Sequence, residues 1–159
     1  MGNAKYTLFL MIIIFVSCAT VKKNTMLTET IAFRLKPGED VKKCIDSIVV
    51  KNDIKAGYIA TAVGSLTQYH IRFANVDSGK IGKGYFEVVS LVGTLSINGS
   101  HLHISVSDNM GTTIGGHLLT ENFVYTTLEI VIVKINNLSF TRENDGSTPW
   151  KELKIEPLK

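Results

Sequence analysis

The sequence predicts an α+β fold, a single compact domain whose mixed or antiparallel sheet closes partly on itself and carries one main helix. Three observations predict it. About seven runs are apolar or alternate apolar with polar residues, the period of a strand. Only residues 39–53 repeat apolar residues at the 3.6 spacing of a helix. Gly, Pro and Asn punctuate the runs at hairpin intervals, and one helix against many strands is an α+β pattern.

The chain opens on a different signal. Lys5 precedes an uncharged apolar run from Leu8 to Val16, followed by Ser17 and Cys18. A short basic region, an apolar core and a small residue are the marks of a secretory signal. The core is well short of the roughly 20 residues that span a bilayer. Residues 1–17 are therefore expected to be a lipoprotein-type signal peptide, with Cys18 as the lipidated anchor, although Phe15 stands where such signals usually carry Leu. Residues 18–28 follow as a tether, and residues 29–156 form the domain. An exported, membrane-anchored location facing the periplasm or cell exterior follows from that reading. With Cys18 lipidated, Cys44 is the one remaining thiol, and no disulfide can form within the chain.

Thr30–Leu35 alternates Ile31, Phe33 and Leu35 with polar residues and stops at Pro37 and Gly38. Glu39–Asp53 is the helix, opened by acidic residues, with Val41, Cys44, Ile45, Ile48 and Val49 on one stripe. Cys44 is thereby a core thiol. Ala56–Val63 reads as a buried strand interrupted at Gly64 and Ser65, and Leu66–Ala74 alternates again. Asn75–Gly84 is polar and glycine-rich, a loop or hairpin. Tyr85–Ile97 is a long strand, and Asn98-Gly99 signals a tight turn into the next. Phe123–Ile135 and Leu138–Arg142 are further strands, followed by a tail around Pro149 and Trp150.

The stretch from Gly99 to Leu118 holds three of the four histidines. On a strand, His101 and His103 share one face about 6.8 Å apart, while Leu102, Ile104 and Val106 fill the other. A sharp turn at Gly115 and Gly116 would swing His117 back toward them. Three neutral imidazoles around one point suit a divalent transition metal, zinc first among them, and leave a position open. The same residues could equally be half-buried polar groups on a strand. No His-Glu-x-x-His helix, Cys-x-x-Cys pair or phosphate-binding glycine loop is present in the sequence.

Glu87 lies in an otherwise apolar strand and needs a partner if buried, with Arg72 as one candidate and a metal-bound water as another. Charge narrows the partners. Loss of Lys5 with the signal takes 17 basic residues to 16 against 14 acidic ones, a weak pull on a phosphate backbone.

The chain resembles the plant and prokaryote conserved (PPC or PCC) domain, of the bacterial stand-alone type. The resemblance rests on RLKPGED at residues 34–40, Gly57, AVGSL at 62–66, YFEVVSLVGT at 85–94, the histidine signature from His101 to Leu118, and TTLEIV at 126–131. It covers about Thr28 to Ile155. It implies a compact α+β domain assembled as a homotrimer, with metal at His101, His103 and His117. It also marks Gly64, Ser65, Arg72 and Glu87 as ligand or interface positions. Plant members carry an Arg-Gly-Arg-Pro AT-hook, and this chain has none.

Three functions compete. The first is a membrane-tethered trimeric binding module whose metal-containing pocket takes a small molecule or a protein. The second is a metal-dependent, hydrolase-like enzyme with Glu87 or Asp108 as proton carrier. The third is the DNA binding that the family label suggests, disfavoured by the weak charge, the export signal and the missing AT-hook.

Overall fold

Long strand β2 (Gly57–Arg72) is the spine of the computed structural model, which describes residues 28–158. Cys18 and most of the tether lie outside the described residues. Strand β1 (Thr28–Leu35) and helix α1 (Val41–Lys51) precede the spine; β3 (Lys80–Leu95), β4 (His101–Ser107), β5 (Thr113–Leu118) and β6 (Phe123–Ile135) follow it. These strands form one sheet in the order β1-β6-β2-β3-β4-β5. Every pairing in it is antiparallel, which settles the mixed-or-antiparallel expectation. A final pairing of Ile71 with Leu118 and Arg72 with His117 brings β5 back to β2. The segment β2-β3-β4-β5 is thus a closed ring, as the expected partial closure requires.

Helix α1 starts where the sequence offers a cap. Asp40 has extended backbone angles and its carboxylate accepts the Lys43 amide at 3.3 Å. Its other oxygen accepts the Glu121 amide at 2.7 Å, tying the helix start to the loop before β6. Val41, Ile45 and Val49 are buried and pack with Leu66, Leu128, Ile130 and Ile132 of the sheet. Cys44 packs at the margin of this core, and burial followed by Glu39 and Asp40 pushes its thiol pKa up. An un-ionised, packed thiol is unreactive, in keeping with the core reading.

Three elements differ from expectation. Gly64 and Ser65 do not interrupt β2, which runs on through a register shift against β6. The Asn75–Gly84 stretch does turn the β2–β3 hairpin, but only over residues 75–79; Lys80–Gly84 already belong to β3, where Tyr69 packs its ring in the place of a side chain at Gly82. A glycine that reads as a turn is here space for an aromatic ring. The tail is no loose end: β7 (Leu138–Glu143) and β8 (Glu152–Pro157) form a separate antiparallel hairpin. It covers a small second core of Ala56, Ile135 and Phe140. Among the described residues no helix is long and apolar enough to cross a membrane.

Candidate metal centre

The histidines meet because of hairpin register, and the turn lies elsewhere than the sequence suggests. The chain reverses at Asp108–Thr112, where the Asp108 amide donates to Thr112 O and the Gly111 amide to Asp108 O. Gly115 and Gly116 lie within β5. Pairing from Ser107–Thr113 onward places His103 opposite His117. The other edge of β5 sets His117 beside Arg72 of β2, while His101 faces Thr94 of β3. Leu102, Ile104 and Val106 point into the core, so His101 and His103 project outward.

One nitrogen sits at the centre of the cluster. His117 Nδ1 lies 3.2 Å from His101 Nε2 and 3.2 Å from His103 Nε2. One donor atom from each ring lies within 4.8 Å of the others. An imidazole nitrogen has a single in-plane lone pair, enough for one strong hydrogen bond and not two. A tetrahedral ion with metal–nitrogen bonds of about 2.0–2.1 Å sets its donors about 3.3 Å apart. Two of the three separations match that spacing, which favours a shared cation over a hydrogen-bonded trio, and three ligands leave a fourth position open.

The surroundings push two of the rings, His117 and His101, toward the neutral form. Burial, reinforced by Arg72 and by the other two histidines, lowers His117 to about 4. Burial also lowers His101, helped by Arg142, His103 and Arg72 and opposed by Glu152. Neutral imidazoles present their lone pairs to a metal at pH 7 without proton competition. The same shift has a sign for stability. Between about 6.5 and about 4 the unfolded His117 binds a proton that the folded one does not. The Tm of the metal-free chain is therefore expected to fall as pH drops through that window, modestly because solvent screens the site. A His117→Asn variant should show a shallower fall; identical profiles by calorimetry would overturn the assignment.

The other expected site residues disperse. Glu87 is exposed, pairs in register with Ser65 and Ser107, and makes no ion pair among the described residues. It stands seven residues along β3 from Thr94, the partner of His101, or roughly 23 Å at strand rise. Its strand carries apolar residues on both faces, which makes an exposed position look buried in sequence. Asp108 caps the β4–β5 turn, accepting the Met110 and Thr112 amides at 2.9 Å each. Within one chain Glu87 thus stands far along the sheet from the histidines, and the Asp108 carboxylate is engaged by the turn. Gly64 lies in the β2–β6 seam, and the Ser65 hydroxyl pairs with Thr126 Oγ1 at 3.0 Å.

Arg72 does reach the site, without Glu87. Its guanidinium lies 5.3 Å from the centre of the Trp150 ring, and Nη1 donates to Val76 O at 3.4 Å. Beside it opens a cleft of about 690 Å³, walled by His101 and His117 and, from the hairpin, by Arg142 and Trp150. Those hairpin residues were not anticipated. The one available signal was Trp150, the single Trp of the chain, next to Pro149.

Comparison with known proteins agrees with this architecture. The family model for the Plants and Prokaryotes Conserved (PCC) domain matches residues 23–136. A bifunctional GlmU protein of Synechococcus is 37% identical over 125 residues, covering 79% of this chain. The chain spans only 20% of that relative's length. A solved Salmonella enterica protein superimposes with a TM-score of 0.81 at 38% identity, covering 84% of this chain and 97% of its own. A Bacteroides thetaiotaomicron protein described as putatively DNA-binding scores 0.70 at 19% identity, covering 79% and 91%. An Archaeoglobus fulgidus protein described as metal-containing scores 0.68 at 21%, covering 78% and 91%. With the model matching most of its length and the strand order in hand, the chain belongs to the Plants and Prokaryotes Conserved domain family.

Proposed function

We propose that this protein is a metal-dependent binding module, holding one divalent transition metal, zinc foremost, on His101, His103 and His117. The observation that carries the reading is His117 Nδ1 placed 3.2 Å from two other ring nitrogens. The metal-containing Archaeoglobus protein of the same fold supports it. The ion would supply positive charge and an open coordination position to the cleft, and the histidines would orient it.

The reading includes a setting. Three copies assemble through the exposed Tyr58, Val63, Tyr85, Val89, Val92 and Tyr125 of β2, β3 and β6, apolar side chains that association would cover. Lipid on Cys18 tethers them to a membrane. Near balance of 16 basic and 14 acidic residues beyond the signal speaks against DNA as the partner.

Elemental analysis of the full chain, purified in mild detergent without a polyhistidine tag, tests the core of the proposal. About one equivalent of zinc, or of another divalent transition metal, is expected per chain. A chain that stays empty after reconstitution overturns the metal. Sedimentation of the same sample at monomer mass overturns the trimer, and equal labelled-palmitate incorporation in wild type and Cys18→Ala overturns the anchor.

A further inference from the structure

The cleft beside the histidines is rich in unanswered positive charge. Arg72, Arg142 and Lys151 line it against Asp77 and Glu152, an excess of one positive charge before any metal is counted. Neither arginine forms an ion pair among the described residues. The Arg142 guanidinium makes one hydrogen bond, from Nη2 to Thr94 Oγ1, and its Nε is buried without a partner. Ser100 Oγ, also in the cleft wall, is likewise buried and unpartnered. Unpaired buried donors are costly, and guanidinium groups are geometrically suited to oxyanions. Glu152 is the nearest internal candidate, yet its carboxylate accepts from Thr148 Oγ1.

The architecture adds a second point. Arg142, Trp150, Lys151 and Glu152 all belong to the β7–β8 hairpin or its connecting loop, beyond residue 136 where the family match ends. The hairpin is fixed against the sheet by a pair of bonds, Asn98 Nδ2 to Arg142 O at 3.2 Å and the Arg142 amide to Asn98 Oδ1 at 3.0 Å. The histidine wall thus comes from the family domain and the arginine-and-aromatic wall largely from the hairpin.

We propose that this cleft binds a small organic dianion, with one oxyanion group on Arg72 and Arg142, its body against Trp150 and its second anionic group toward the histidine cluster. A volume of about 690 Å³ is ample for such a molecule. The proposal rests on the metal reading, because a divalent ion raises the local excess to three positive charges and calls for a second anionic group. The hairpin is then the part of the chain that sets which ligand is accepted.

Isothermal titration of the full chain with succinate and with glycerol 3-phosphate tests this, metal content being measured on each sample. Binding of at least one is expected, at least about tenfold tighter than acetate, with the preferred probe distinguishing a dicarboxylate from a phosphate ester. Arg142→Gln and Arg72→Gln should each weaken it by about tenfold or more, with metal content and Tm retained. Metal-loaded wild type that binds neither probe, or variants that bind as well as wild type, overturns the dianion site and leaves the metal standing. A chain that takes up no metal overturns both readings, and the metal measurement tells the two failures apart.

Discussion

Alanine at His117 is expected to empty the metal site while leaving the fold intact. Structural zinc binding by four protein ligands is worth about 10–16 kcal/mol, so one ligand carries about 2.5–4 kcal/mol, roughly sixtyfold to several hundredfold in affinity. His117 is the most exposing choice because its Nδ1 is the atom near both other rings. Its side chain lies outside the buried core, so the Tm of the metal-free variant should stay close to that of metal-free wild type. Metal content by elemental analysis, with circular dichroism on the same sample, reads both halves. His103→Asn should behave alike, since it removes the cross-strand partner of His117. Full metal content in folded His117→Ala would refute the site.

The Gly93→Ala variant is expected to be severely destabilised. Gly93 has φ +146, which side-chain-bearing residues rarely adopt, and it pairs with Leu102 across β3–β4. A methyl group there would stand 2.0 Å from the His101 carbonyl oxygen and 2.9 Å from Leu102 Cα. Those are backbone atoms of the neighbouring strand and cannot swing aside. Either β4 moves away, giving up ladder bonds and the burial of Leu102 and Ile104, or the pairing slips. A cost above about 3 kcal/mol follows, large against a typical stability of 5–15 kcal/mol. Urea unfolding measures it, and a change below about 1 kcal/mol would show that the strands separate more easily than their packing indicates. His101 sits at the same contact, so the surviving folded fraction should also bind metal weakly.

Periodicity made the class, the helix and most strands readable before any coordinates, since Val41, Ile45 and Val49 repeat on one stripe and Leu102, Ile104 and Val106 alternate. The histidine trio was readable for a partly mistaken reason. Gly115 and Gly116 resemble a turn, whereas the turn is made by the Asp108 carboxylate and the convergence by strand register. Register depends on where a hairpin reverses, and a shift of one residue would have put His117 on the other face. Arg142 and Trp150 were illegible because they reach the site from a hairpin whose docking depends on Asn98, far away in sequence. Glu87 misled in the opposite direction: local hydrophobicity suggested burial, and tertiary placement left it in water.

The closure of the β-ring has a further consequence for motion. Strand β5 joins β2 through just two residue pairs, one of which is Arg72 with His117. Such a short seam is where local opening costs least, so amide exchange at Leu118 and Arg72 should run ahead of that in the β2–β3 ladder. A cation gripping His117 and the two β4 histidines would rivet β5 to β4 beside that seam. Occupancy and breathing then become one equilibrium, and the slowest-exchanging form of the ring is the one with its rivet in place.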